Sequence, residues 1–225
     1  MQLRHYAYDL NSGIGIYSAR ILSMVISVAS YKGGVGKTTT SIHLAAYFQT
    51  LAPTLLLDGD LNRSSLRWAE PGKLPFQVVD HRQAAMHIHR YQHVIVDTQA
   101  RPDEQDMKVL AGSCDLLVLP CTPDAISLQV LGDTAAALRK IGASNYRILL
   151  TVVPPRPNRD GEEARQYLTS SGMPVFRTGI RRLVAFQRAA LEGVTVAEID
   201  RKNLGWADYL QAGEEILSAS RSVAA

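Results

Sequence analysis

The segment Ser27-Val28-Ala29-Ser30-Tyr31-Lys32-Gly33-Gly34-Val35-Gly36-Lys37-Thr38-Thr39-Thr40 constrains the fold more than any other stretch of the chain. An apolar, β-branched run passes through a turn holding three glycines into a segment that opens as a helix. Strand, tight turn and helix in direct succession form the first half of a unit whose next strand lies parallel to the first.

The rest of the chain repeats that alternation. Short apolar runs at residues 25–29, 54–57, 76–79, 93–96, 116–120, 147–153 and 174–176 read as strands. Helices are expected between and after them, at 37–50, 81–90, 103–111, 126–141, 161–171, 182–191 and 204–218. In the fourth helix Val130, Leu131, Thr134, Leu138 and Ile141 recur at helical spacing, leaving Arg139 and Lys140 to solvent. The pattern predicts an α/β fold: a doubly wound, mostly parallel sheet of about seven strands with helices on both faces, of the P-loop NTPase kind. Pro154, Pro155 and Pro157 stop the sixth strand, because proline cannot donate to the ladder.

At 225 residues the chain suits one α/β domain, and 46% hydrophobic with 20% charged residues describes a folded globular protein. Residues 24–225 are read as that domain, and residues 1–23 as an N-terminal extension or a mis-assigned start. Cys114 and Cys121 flank one apolar run without a metal-ligand or redox spacing, as reduced thiols of a cytoplasmic protein would. The stretch 13–29 comes nearest to a membrane span, but Arg20 interrupts it and it runs into a core strand. The net charge of +3 is too small to argue for a nucleic-acid partner without local clustering.

The glycine turn is built to bind an anion. Backbone N–H groups from Gly33 to Thr39 can curl around phosphate oxygens, and the helix beginning there adds its positive end. Lys37 would reach the β- and γ-phosphates of a nucleotide, and the Thr38 hydroxyl would ligate Mg²⁺. The strict Walker pattern has glycine where this chain has Tyr31. Two runs, Leu55-Leu56-Leu57-Asp58-Gly59-Asp60 and Val94-Ile95-Val96-Asp97, end in acids at strand ends, where doubly wound sheets bind their ligands. Asp97 is the candidate for ordering the water ligands of Mg²⁺, with Asp58 beside it on the metal side, and Asp60 for orienting the attacking water. Either strand-end acid could instead cap a turn or helix. The expected chemistry is Mg²⁺-dependent hydrolysis of a nucleoside triphosphate.

Tyr-Lys-Gly-Gly-Val-Gly-Lys-Thr-Thr resembles the deviant Walker A box of the ParA/MinD family, with Lys32 in place of its signature lysine. Leu57–Asp60, the run ending at Asp97, Leu119-Pro120-Cys121-Thr122-Pro123 and Phe176-Arg177-Thr178 are similar to later motifs of small ParA partition ATPases, so the resemblance spans residues 24–218. Two departures stand out: Leu61-Asn62 where the family has Pro-Gln, and Thr98-Gln99-Ala100 after the second acid. The resemblance implies ATP as the nucleotide and an ATP-dependent sandwich homodimer, with Lys32 acting on the partner's nucleotide and Lys37 on its own. It implies catalytic roles for Lys32, Lys37, Asp60 and Asp97, and a nucleotide cradle from Lys32 to Thr39. It places adenine near Pro154 and Pro155.

Between Ala164 and Leu191 there are five arginines and no acid. Arg181, Arg182 and Arg188 are taken as the non-specific DNA site, a use to which ParA relatives put this region. The resemblance then implies a cytoplasmic, nucleoid-associated ATPase that positions a plasmid, chromosome or protein organelle through a ParB-like adaptor. The alternative is a MinD-like switch recruiting a protein or membrane partner. The C-terminal run Gln211-Ala212-Gly213-Glu214-Glu215-Ile216-Leu217-Ser218 carries adjacent acids and little apolar bulk, which argues against a membrane anchor. His81, His87, His89 and His93 are read as surface residues rather than a metal site, and Trp68 and Trp206 as packing residues.

Overall fold

The computed structural model describes residues 23–100, 102 and 104–223; the expected extension, apart from Ser23, lies outside them. Strand β1 (Met24–Ser30) enters the glycine turn and α1 (Lys37–Gln49) leaves it. There follow β2 (Thr54–Gly59), α2 (Ser64–Ala69), β3 (Gln77–Asp80), α3 (Ala84–His87), β4 (His93–Ala100), α4 (Glu104–Ser113), β5 (Leu116–Cys121) and α5 (Ala125–Lys140). The chain ends through β6 (Tyr146–Leu150), α6 (Asp160–Ser170), α7 (Val184–Glu192), α8 (Val196–Ile199) and α9 (Leu204–Val223). Six strands pair in the order β3-β2-β4-β1-β5-β6, all parallel. β1 sits between β4 and β5, where the connections change direction and a crevice opens above the strand ends.

Side chains alternate across the sheet, and both faces are covered. Ile26, Val28, Leu56, Ile95, Val118 and Leu149 face α1 and α9, whereas Leu117, Leu119, Ile148 and Leu150 face α4, α5 and α6. Helix α1 is not amphipathic: from Thr40 to Phe48 every side chain is buried, because α9 closes over the side turned away from the sheet. Gly213 permits that approach, since a Cβ there would collide with the Tyr47 ring.

The structure departs from the expected elements in several places. The seventh strand is a single bridge, Ile148 to Val175. It ends there because Glu215 of α9 takes the next two backbone N–H groups, those of Arg177 and Thr178, at 2.8 Å each. The expected 81–90 helix is α3 flanked by two 3-10 turns, its residues half-buried or exposed with no apolar stripe to anchor a longer helix. Asp103, the expected start of the next helix, lies outside the described residues. Strand β6 stops at Leu150, before the prolines, because Val152 turns to φ 53°. Helices α2 and α8 were not anticipated; α8 opens on a capping box between Thr195 and Glu198, a spacing visible in the chain. His93 is fully buried, against the surface position expected for it.

Candidate functional site

Register brings the acids together. Asp58 of β2 lies beside Asp97 of β4 on one side and Asp80 of β3 on the other. Asp97 shares the parity of Ile95, so its carboxylate points to the α1 face and meets the first turn of that helix.

The loop over that row needs its glycines. Gly34 and Gly36 have φ of 76° and 81°, which side-chain-bearing residues rarely adopt, and Gly36 is the residue from which α1 starts. The helix takes up the chain at once, with Thr40 N–H donating to the Gly36 carbonyl at 2.9 Å. Thr151, just past β6, donates to the Val35 carbonyl at 2.8 Å and ties the loop to the far side of the crevice.

Asp97 is fully buried and accepts three hydroxyl hydrogen bonds: from Thr38 at 2.8 Å, Ser41 at 3.0 Å and Ser65 at 2.8 Å. Burial pushes its carboxyl up to about 6, against the pull of those hydroxyls and with a further push from Asp58. Lys37, only 8% exposed, is pulled down by burial, while Asp97 and Asp60 hold its charge in place. A buried lysine, a threonine hydroxyl and a carboxylate thus converge at one helix N-terminus, the arrangement expected for phosphate and a hard divalent cation. Thr38 and Asp97 offer hard oxygen donors 2.8 Å apart, a set that fits Mg²⁺.

Asp58 is differently employed. One oxygen accepts the Asp60 N–H at 2.9 Å and the other the Leu66 N–H at 2.8 Å, so the carboxylate holds the turn and pins the first residues of α2. That arrangement makes Asp58 a brace for the loop, beside Asp97 in the row of strand-end acids. Asp60 accepts from Asn62 N–H at 3.0 Å and from the Ser64 hydroxyl at 3.1 Å, staying close enough to Lys37 to raise its proton affinity.

Lys32 lies at the other end of the loop. Its ammonium donates to Ser127 Oγ at 2.6 Å and to Asp124 at 3.1 Å, both at the start of α5 of its own chain. Burial pushes the Asp124 carboxyl up, but hydrogen bonds from Ser127, Thr122 and Lys32 outweigh it and hold the group well below the usual carboxylate range.

Beside the loop opens a cavity of about 150 Å³ walled by Gly36, Thr39, Thr151, Val152, the 180–183 stretch, Gln187 and Tyr209 among others. Pro154 and Pro155, expected to contact a base, are not in its wall. Val152 is β-branched yet has φ 53°, strain of a kind that collects at ligand sites. Sequence reasoning missed Ser41, Ser65, Ser127 and Asp124. Ser41 follows Thr38 at a one-turn spacing that signals a shared partner; the other three lie in distant parts of the chain.

The arginines chosen for DNA separate into two kinds. Arg181 is bound to Asp208 through Nε at 2.8 Å and Nη2 at 2.7 Å, and stands in the cavity wall. Arg182, which also lines the cavity, and Arg188 are exposed, with no carboxylate partner among the described residues. No described helix is long and apolar enough to cross a membrane, and among the described residues no cluster of three or more His, Cys, Asp or Glu is placed to hold a metal ion.

A model of the CobQ/CobB/MinD/ParA nucleotide-binding domain matches residues 26–196. The chain is 35% identical over 201 residues to the maintenance of carboxysome distribution protein A of Gloeobacter kilaueensis, spanning 85% of this chain and 93% of that protein. It is 24% identical over 204 residues to the protein of that name from Halothiobacillus neapolitanus, spanning 84% of this chain and 93% of that one. The solved cell division ATPase MinD of Pyrococcus furiosus superposes with a TM-score of 0.67 at 20% identity, over 88% of this chain and 100% of that one, a likeness of fold. With the phosphate-type loop, the buried lysine and the strand-end carboxylate in place, the chain belongs to the CobQ/CobB/MinD/ParA nucleotide-binding family.

Proposed function

We propose that the chain is a ParA-type ATPase that dimerises on Mg-ATP, holds non-specific DNA and positions a cargo through a ParB-like adaptor. The observation that carries the reading is the pair of lysines at the two ends of one loop. Lys37 is turned inward over Asp97 and Asp60, and Lys32 outward onto Asp124 and Ser127. Lys37 would bind the β- and γ-phosphates, and Thr38 with Asp97 would hold Mg²⁺, which when bound would offset charge on the transferring phosphoryl group. Asp60 would orient the attacking water. In a dimer, Lys32 would exchange Asp124 for the partner's triphosphate. The base would occupy the cavity beside Val152 and Arg181. Arg182 and Arg188 are the exposed cations for DNA, with Arg181 held by Asp208 instead. The names of the relatives support a protein organelle such as the carboxysome as the cargo. The cytoplasm, on the nucleoid, is the corresponding location.

Light scattering and co-sedimentation test this together. With saturating Mg-ATP the chain is expected to become a dimer and to pellet with DNA in a salt-sensitive manner, and Lys37→Ala to do neither. A wild-type chain that stays monomeric, or that pellets with liposomes and not with DNA, would replace this reading with a different switch.

A further inference from the structure

His43, six residues beyond Lys37 on α1, is completely buried among aromatic rings. It stacks on Tyr209 of α9 at 4.9 Å between centroids, and meets Phe186 of α7 at 5.2 Å and Trp68 of α2 at 6.0 Å in T-shaped contacts. Packing alone would call for phenylalanine or leucine in such a box. The imidazole also makes two polar contacts that neither could make. Nε2 accepts the Val196 N–H at 3.1 Å, so the proton resides on Nδ1, which donates to the Thr39 carbonyl at 2.7 Å. Burial holds the ring neutral, with its pKa down to about 4, and this donor–acceptor assignment requires that neutrality.

The two ends of this bridge belong to different parts of the molecule. Thr39 is in the first turn of the phosphate-facing helix and lines the cavity beside it, and its neighbour Thr40 shares a hydrogen bond with the Tyr209 hydroxyl at 3.2 Å. Val196 begins α8, directly after α7. A second element of the site holds the same segment: Trp68 Nε1 donates to the Val194 carbonyl at 2.9 Å, and its helix α2 carries the Ser65 that holds Asp97. Residues 194–196 are therefore clamped by α1 from one side and α2 from the other, both of which bear groups of the nucleotide site.

We infer that His43 is a positioning residue that couples the nucleotide site to α7 and α8: the Thr39–His43–Val196 bridge carries a shift of the first turn of α1 into the segment on which α7 is hung. The coupling itself stands on the geometry of the bridge. Its consequence for DNA rests on the proposed function, since α7 carries Arg188 and Arg182 lies just before it.

The test is hydrogen exchange of the full chain with and without Mg-AMPPNP. In the wild type, protection of the α7 and α8 amides is expected to rise by about fivefold or more on nucleotide binding, within the usual range of coupling between sites. His43→Leu fills the box but removes both contacts. Val196→Pro removes the N–H at a first helical position that proline tolerates, while also changing a buried side chain. Each is expected to bind Mg-AMPPNP within about threefold of wild type and to lose the nucleotide-dependent rise, and the double variant is expected to lose no more than either alone. His43→Gln, able to donate and accept, should restore it. A merely structural histidine would lower protection equally in both nucleotide states. A wild type without the rise, or a rise preserved in the leucine and proline variants, would overturn the inference. Because this readout contains no DNA, a failure to bind DNA would count against the proposed function and leave the coupling standing.

Discussion

Arg181 lays its guanidinium on both oxygens of the buried Asp208 carboxylate, while Arg182 beside it stands in solvent. Arg181→Ala leaves a buried acid without its partner and is expected to cost about 1–3 kcal/mol, discounted because the arginine is partly exposed. Arg182→Ala and Arg188→Ala are expected to leave the thermal midpoint within about a degree while weakening retention on DNA. Equal melting of all three would reject this division. Asp97 is the second residue whose environment sets its behaviour. Its carboxyl is pushed up to about 6 by burial, so near pH 7.5 the metal-free fold carries a charge that its surroundings oppose. Asp97→Asn is expected to raise metal-free stability there by about 1–2 kcal/mol in urea unfolding, and to lower hydrolysis by on the order of a hundredfold. A variant less stable than wild type at that pH would mean the three hydroxyls favour the charge more than burial opposes it. The loop residues and Asp97 were legible because a glycine turn and a strand-end acid advertise themselves; the use of Arg181 was not, since Asp208 lies 27 positions away.

At the scale of elements, β4 shows a cost paired with a placement. Its first residue, His93, is 0% exposed, and neither ring nitrogen has a hydrogen-bond partner among the described residues. Phe48 packs on it at 4.9 Å between centroids. Burial pulls its pKa below the ordinary 6.5, so the unfolded chain takes up the proton first and stability is lost as pH falls through that value. His93→Leu is therefore expected to stabilise the chain by about 1–2 kcal/mol at pH 7.5 and by more at pH 5.5. A lower denaturant midpoint at both pH values would show the imidazole to be better satisfied than its surroundings indicate. Short apolar runs located most strands, and helical spacing located α5. They failed over 81–90 and at 174–176, where a few residues are held by neighbours and not by their own periodicity.

For the whole molecule, two buried groups give opposite pH slopes over nearly the same window. Asp97 rises from 3.8 to about 6, so the native state takes up its proton first and stability from this group grows as pH falls between those values. His43 falls from 6.5 to about 4, so the unfolded state takes up the proton first and stability from this group is lost as pH falls. Asp97 offsets part of the histidine slope, to which buried His93 adds with the same sign as His43, so urea unfolding of the wild type is expected to show a net loss of stability as pH falls from about 6.5 to about 4. Asp97→Asn should steepen the histidine slope, with His43 alone losing roughly 3 kcal/mol across that range and His93 adding to it, since each tenfold change in proton affinity is worth about 1.4 kcal/mol. A profile for the variant parallel to the wild type would remove one of the two groups from this account.

The chain by itself determined the layered α/β class, the anion-binding turn, the lysine that follows it and the strand-end acids. Each depends on local chemistry: which residues accept positive φ, which alternate, which end a strand. Only the tertiary structure decided what those groups touch. It set Asp58 to brace a turn, Arg181 to hold Asp208, Lys32 to rest on Asp124 and His43 to bridge two helices. Except for those of Asp58, these partners lie tens of residues or more apart, and a sequence pattern records spacing along the chain, whereas hydrogen bonds and ion pairs depend on separation in space.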